Sequence, residues 1–432
     1  MKILGWKTVA LLALTLVCTS AGAAISATRT DGQIGYYQQL IRRNPRNARA
    51  FLGLGDALIR KARETGDPSY FNRAEEALKK SLEIAPKSAA AARHLAYVFY
   101  SRHEFAPAAA QAREALAMNP ADGDACGILG DALLEVGSYD EAETAYRRMI
   151  ELERNLYSYS RRAGLHSARG NNSAAIADLE RAVAAGRAAR QPAESLAWAE
   201  WQLGMEHFGL GDLRNAENYF QQALSTLPDY YRALAGLAQV RAAQKNYSEA
   251  IALYRKALAI LPLPDYAAAL GDIYALTGEP EQALRQYQLV EYMGRLSEIN
   301  KILYNRELAY FYADHGIKPE EGLALALREL EYRRDVYAHD VVAWNLHRNG
   351  KFAAAREHID AALALGTRDA KLFFHAGMIY RSLGAADRAE EFFRRALALN
   401  PYFHPVFAET AAMMLNRGER ERAGGAGATQ GG

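Results

Sequence analysis

Residues 215–228 read NAENYFQQALSTLP, and residues 249–262 read EAIALYRKALAILP. The two stretches lie 34 residues apart and agree at Ala216 and Ala250, Phe220 and Tyr254, Ala223-Leu224 and Ala257-Leu258, and Pro228 and Pro262. Spacings of four and three put the alanines and the aromatic ring on one face of a helix. The proline then ends it, because it cannot continue a helical hydrogen-bond ladder. The same interval recurs upstream, where Pro86 and Pro120 are also 34 apart. Ahead of each such helix comes a second signal: Gly204 stands seven residues before Gly211, as Gly130 stands before Gly137 and Gly271 before Gly278. The first glycine of each pair lets two helix axes approach, and the second supplies a left-handed cap. The unit is therefore two helices, and it recurs down the chain. A chain of 432 residues is too long for one compact core. A stacked array removes the difficulty, since each pair buries its open apolar face on the next.

These residues resemble the tetratricopeptide repeat. That family has Leu-Gly in the first helix, Tyr four places on, Gly at the turn, then Ala-x3-Phe/Tyr-x2-Ala-Leu and Pro. Leu129-Gly130, Gly137, Ala142 and Tyr146 match it, as do Leu270-Gly271, Tyr274, Gly278, Ala283 and Tyr287. Gly377, Tyr380, Gly384, Ala389, Phe393, Ala396 and Pro401 match again. The resemblance implies an all-α, right-handed superhelical solenoid of about ten helix-turn-helix repeats between about Ala48 and Pro401. A half-repeat helix, Gln33 to Asn44, precedes the array, and a capping helix, Val406 to Leu415, follows it.

Breaks in the pattern divide the array. Lys61 to Tyr70 is an insertion in repeat one, Gly186 to Glu194 a long polar connection, and Met293 to Tyr304 a further lengthening. Repeat nine has Gly366 where Pro is usual. The expected organisation is an N-terminal segment over 24–47, repeats one to four over 48–190, five to seven over 191–295 and eight to ten over 296–401. A cap over 402–417 and a Gly-rich, disordered tail over 418–432 complete it. Neighbouring repeats should interact and distant ones should not. The stretch Arg333 to Leu383, with Ala343-Trp344 and Gly366-Thr367-Arg368-Asp369-Ala370, resembles exported bacterial repeat proteins, which implies a cell-envelope setting.

The first 23 residues carry Lys2 and Lys7 and no acid, then an apolar run from Val9 to Cys18 and small residues at Ala21 and Ala23. That is the pattern of a secretory signal cleaved after Ala23. A lipid on Cys18 is the alternative, but Val17 departs from the usual small residue before the cysteine. Cleavage leaves Cys126 alone, so no intramolecular disulfide forms. Lys plus Arg number 52 against 50 Asp plus Glu. Without the two leading lysines the charge is zero, which argues against nucleic acid as partner. It also gives no general attraction to anionic lipid, and no later apolar run reaches membrane-spanning length.

No phosphate loop and no nucleophile elbow is present. The spacings of His339, His347 and His358 match no compact metal motif. Cys126 reads as a buried small side chain. No enzyme activity, cofactor or metal is expected. About half of the 25 tyrosines fall at packing positions such as Tyr146 and Tyr254.

In the family the concave surface comes from positions 2, 5, 9, 12 and 13 of each first helix. Carried over by counting from the Leu-Gly pair, repeat five gives Trp198, Trp201, Met205 and Phe208. Repeat nine gives Tyr337, Asp340, Trp344, His347 and Arg348, repeat two gives Arg93, Tyr97 and Tyr100, and repeat three gives Asp124, Asp131 and Glu135. These include no Lys or Asn, so the clamp that the family uses on C-terminal carboxylates is not expected. The expected function is a non-catalytic scaffold holding a peptide or partner protein in the groove. The alternative is an accessory subunit of an envelope assembly, such as polysaccharide export or protein maturation, contacting partners by its edges or convex face. The repeat-five stripe is the favoured site, because Leu203, Gly204 and His207 already supply the core of its helix.

Overall fold

The computed structural model describes residues 29–65, 67–299 and 306–428. The expected signal segment, its Cys18 and the last four tail residues lie outside the described residues. Helix α1 (Arg29–Arg43) stands alone. Pairs α2/α3 (Ala48–Thr65, Ser69–Ile84), α4/α5 (Ala89–Ser101, Phe105–Met118), α6/α7 (Gly123–Glu135, Tyr139–Leu152) and α8/α9 (Leu156–Ala168, Asn172–Ala188) follow. Next come α10/α11 (Ala193–Gly209, Leu213–Thr226), α12/α13 (Tyr231–Ala243, Tyr247–Ile260) and α14/α15 (Pro264–Leu276, Pro280–Ile299). The array ends with α16/α17 (Arg306–His315, Pro319–Tyr332), α18/α19 (Val336–Arg348, Phe352–Leu363), α20/α21 (Ala370–Ser382, Ala386–Leu399) and the cap α22 (Pro405–Ala428). Among the described residues this is an all-α superhelical solenoid of ten helix pairs, with a single helix before them and one after.

The repeat residues do what their spacing requires. Ala216, Ala223, Ala250 and Ala257 are wholly buried, as is Phe220, and Tyr254 nearly so. Gly130, Gly204, Gly271 and Gly377 face the rings of Tyr146, Phe220, Tyr287 and Phe393, and a Cβ at Gly271 or Gly377 would stand 2.5 Å from a ring carbon. Five first helices start on the side-chain caps Ser88, Asp122, Asn155, Asp335 and Asp369.

One expected connection and part of the tail expected to be disordered become helix. Helices α9 and α10 extend until only 189–192 separate them. Gly186 packs on Leu156 with no room for a side chain, and Arg187 reaches the fully buried Glu200 at 2.7 Å, so the extra turn is anchored. Helix α22 continues to Ala428, past the expected end at Leu415, through the strong helix formers Glu419 to Ala423.

The array does not stay one-dimensional. It winds until the later repeats rest on the earlier ones. The Arg334 amide donates to the Glu135 carbonyl at 2.9 Å, and the Val336 amide to the Tyr139 hydroxyl at 2.9 Å. The Thr367 hydroxyl donates to the Ala168 carbonyl. Asn400, almost wholly buried, donates to the Phe208 carbonyl at 2.7 Å. Thus the turns leading into α18, α20 and α22 sit on the ends of α6, α8 and α10, each twelve helices, or six repeats, earlier. The expectation that distant repeats do not touch is corrected: a superhelix with six repeats per turn brings repeats three to five under repeats nine, ten and the cap.

Candidate binding surfaces

The repeat-nine residues are enclosed by neighbouring first helices. Trp344 is 1% exposed, stacked between the rings of His347 and His375, and its Nε1 donates to Asp314 at 2.8 Å. Asp340 is 2% exposed and accepts from the Tyr310 hydroxyl at 2.7 Å, with His375 Nδ1 at 2.9 Å. His347 meets Ser382 at 2.9 Å, and Arg348 donates to the Asp314 carbonyl at 3.0 Å. Burial holds His347 well below its usual range, at about 4. Trp344, Asp340 and His347 therefore offer no open surface, Arg348 is half-buried and engaged, and Tyr337, 37% exposed, is the most open of the five. The inner positions of the second turn are spent on joining repeats eight to ten.

Repeat five divides. Trp198 lines an open groove, and Arg232 lies over the Trp201 ring, 5.0 Å from its centroid. Met205 and Phe208 line a different, smaller cavity beneath the turn before α22. The stripe is continuous on the helix, yet the returning second turn covers its C-terminal half. In repeat two, Arg93 is held by Asp124 at 2.9 Å and Tyr97 packs into the core, whereas Tyr100 lines the groove.

The groove itself measures about 580 Å³ and crosses six successive first helices. Arg63 comes from α2, Tyr100 from α4, Asp131 from α6, Tyr157 and Arg161 from α8, Trp198 from α10 and Arg232 from α12. Asp131 is fixed between Arg161 at 2.9 Å and the Tyr146 hydroxyl at 2.9 Å. The Tyr157 hydroxyl meets Ser195 at 3.1 Å. Arg232 is flanked by Trp201 and Tyr231, Glu194 lines the same groove, and among the described residues no carboxylate forms an ion pair with Arg232. Such a surface stacks flat groups and pairs an anion; it sets no nucleophile beside a base. Sequence reasoning missed Tyr157, Arg161 and Arg232. Taking the buried Ala163 as the small crossing residue puts Tyr157 at position 2 of repeat four, a repeat for which no inner positions were counted.

A charged seam joins the two turns. Arg333 reaches Glu135 at 3.0 Å and Glu329 at 3.6 Å, and Arg306 pairs with Glu329 and Asp335 at 2.6 and 2.8 Å. Burial pushes the Glu135 carboxyl up to about 7, against the opposing pull of Arg333. Among the described residues, no group of three side chains is arranged to hold a metal. No described helix is long and apolar enough to cross a membrane.

The tetratricopeptide-repeat family profile matches residues 34–81, 93–155, 202–263 and 343–402, together more than half of the chain. The chain belongs to the tetratricopeptide-repeat family. No curated protein matches it. Among solved structures, the human IFIT1 dimer with PPP-AAAA is 16% identical, with 77% of each chain covered and a TM-score of 0.51. PilF of Pseudomonas aeruginosa is 15% identical over 48% of this chain and 91% of its own, TM-score 0.40. The type IV pilus biogenesis factor PilW is 16% identical over 51% and 96%, TM-score 0.41. These likenesses are of fold. A tetratricopeptide array is in general a non-catalytic binding scaffold.

Proposed function

We propose that this protein is a non-catalytic scaffold of the bacterial cell envelope, which holds an extended segment of a partner protein in the groove of repeats one to six. The observation that carries the reading is the six-helix groove, with Tyr100, Tyr157, Trp198 and Tyr231 along it and the Arg232 guanidinium over the Tyr231 ring, in no ion pair among the described residues. Aromatic and arginine side chains dominate interface energetics, and Arg232 favours a segment with an acidic side chain. The lysine-led apolar start, Met1 to Ala23, supports an envelope setting. Benzoylphenylalanine in place of Tyr231 tests the groove in cells, with Met413, 62% exposed on the cap, as the control position. A protein adduct is expected from position 231 alone. It should weaken with Trp198→Ala and Arg232→Ala, by about 2 kcal/mol or more for the pair. Adducts removed by ribonuclease, or equal adducts from both positions, overturn the reading; a mature protein still beginning at Met1 overturns the envelope setting.

A further inference from the structure

We infer that one edge of repeat one is a docking surface for a membrane that carries anionic phospholipid. It lies outside the groove and shares no residue with it.

Neutrality over the whole chain is a sum, and the charge is not spread evenly. From Gly32 to Gly55 there is no acidic residue, and four arginines, Arg42, Arg43, Arg46 and Arg49, fall within eight positions. They run from the last turn of α1, through the connection 44–47, into the first turn of α2. The connection between α3 and α4, residues 85–88, adds Lys87. The Ser81 hydroxyl donates to the Ala48 carbonyl at 2.9 Å, which holds the two connections side by side, and Arg49 and Lys87 line one open cleft. All five cations are exposed, and among the described residues none of them forms an ion pair. The acids that flank the second connection are already answered, Glu83 by Lys80 at 2.6 Å and Asp122 by Arg93 at 3.5 Å.

Charge alone would suit any polyanion, and the cleft narrows the choice. It measures about 500 Å³, and between its two cations it is walled by Ala48, Leu52, Ala85 and Pro86. Its two hydroxyls are engaged, Ser81 on Ala48 and Ser88 as the cap of α4. A cationic rim over an apolar floor fits an amphiphile, whose phosphate pairs at the rim while its first methylenes lie inside. Single-stranded nucleic acid is held by rings that stack on its bases, and neither 42–49 nor 85–88 contains one. Tyr36, 57% exposed, stands seven residues before Arg43 and so on the same face of α1. A tyrosine at that place suits the headgroup level of a bilayer.

The test uses the full chain as recovered from cells, sedimented with vesicles of phosphatidylcholine alone or with about a quarter phosphatidylglycerol. The quantity read is the gain in affinity that phosphatidylglycerol brings. A retained apolar leader contributes equally in every variant, so differences between variants read the patch alone. A gain is expected, cut about twentyfold by Arg43→Gln with Arg46→Gln, because each basic side chain near an anionic surface is worth about fivefold. In about 0.5 M salt, where screening is short-ranged, the two proteins should no longer differ. Arg255→Gln with Arg285→Gln removes two exposed arginines from α13 and α15 and should leave the gain unchanged. Both variants should melt with the parent, since the replaced side chains are exposed. No gain, an undiminished gain in the first variant, or an equal loss in the second overturns the assignment. So does oligouridylate bound more tightly than the vesicles and lost in the first variant, which would give the patch to nucleic acid.

Discussion

Closure of the superhelix can be tested by a single methyl group. Gly137 ends the first helix of repeat three with φ +78°, and a Cβ there would stand 2.6 Å from the Arg334 carbonyl oxygen on the second turn. Gly384 holds the equivalent place in repeat ten with φ +77° and has nothing within 4 Å. Alanine at either position incurs the same left-handed backbone cost, about 1–2 kcal/mol. At Gly137 the new methyl must also push the second turn away. That strains the Arg334 and Val336 hydrogen bonds, each 2.9 Å long and each worth about 1 kcal/mol net. Gly137→Ala should therefore cost about 2 kcal/mol more than Gly384→Ala. Urea unfolding followed by circular dichroism gives the two costs. Small-angle scattering should show a larger radius for Gly137→Ala alone, and amide exchange should accelerate at Arg334 and Val336. Equal costs with equal radii would mean that the turns do not touch in solution.

Three further outcomes are expected. Lys245 occupies a turn position with φ +59° where seven other repeats have glycine, and among the described residues its one ion pair is an exposed 3.5 Å contact with Glu409; Lys245→Gly should raise stability by about 0.5–1 kcal/mol by melting. The Glu135 pKa is raised to about 7 from an ordinary 4.5, so its contribution is complete below about pH 4.5 and is lost as pH rises through about 7, an effect of order 3 kcal/mol. Wild-type minus Glu135→Gln stability should fall across that window; taking the difference cancels the opposite drift of His103 and His347, whose lowered pKa values cost stability as pH falls below about 6.5. Gly204→Leu, facing the Phe220 ring, should raise amide exchange in repeats four to six and also at Asn400, whose Nδ2 is seated on the Phe208 carbonyl, while α2 and α4 are spared.

The repeat unit was legible because its determinants are local. Small residues at Gly204 and Ala216 and a ring at Phe220 define one helix crossing, and a pattern of 34 residues records that crossing directly. Superhelical closure left no such record. It depends on a small rotation per repeat accumulated over six repeats, and on backbone carbonyls at Glu135, Ala168 and Phe208 that no side-chain pattern encodes. The same omission explains the site residues. Position counting gives the face of a helix correctly but not what lies across from it, so Trp198 and Trp344 read alike. One lines an open groove and the other is stacked between histidines. A trace was present in repeats eight to ten, where Asp314, Asp340 and Lys371 put charge, and His375 a polar ring, at inner positions. Charges there are buried only in mutual pairs, and a surface built from such pairs is a joint rather than an open binding face.

Closure also changes what the array can do. In an open solenoid every inner face is equally available, and affinity grows with the number of repeats a partner spans. Here repeats eight to ten use their inner positions on one another, and their turns brace the ends of α6, α8 and α10. The first turn alone is left with an unspent surface, and its curvature is fixed by the second. A braced groove needs no ordering when a partner arrives, so less of the contact energy is lost to conformational entropy. The seam of Arg306, Arg333, Glu135 and Glu329 is then part of the binding apparatus although it touches no partner. Loosening it should weaken partners of the groove in proportion to how far the first turn relaxes, without altering a single groove side chain.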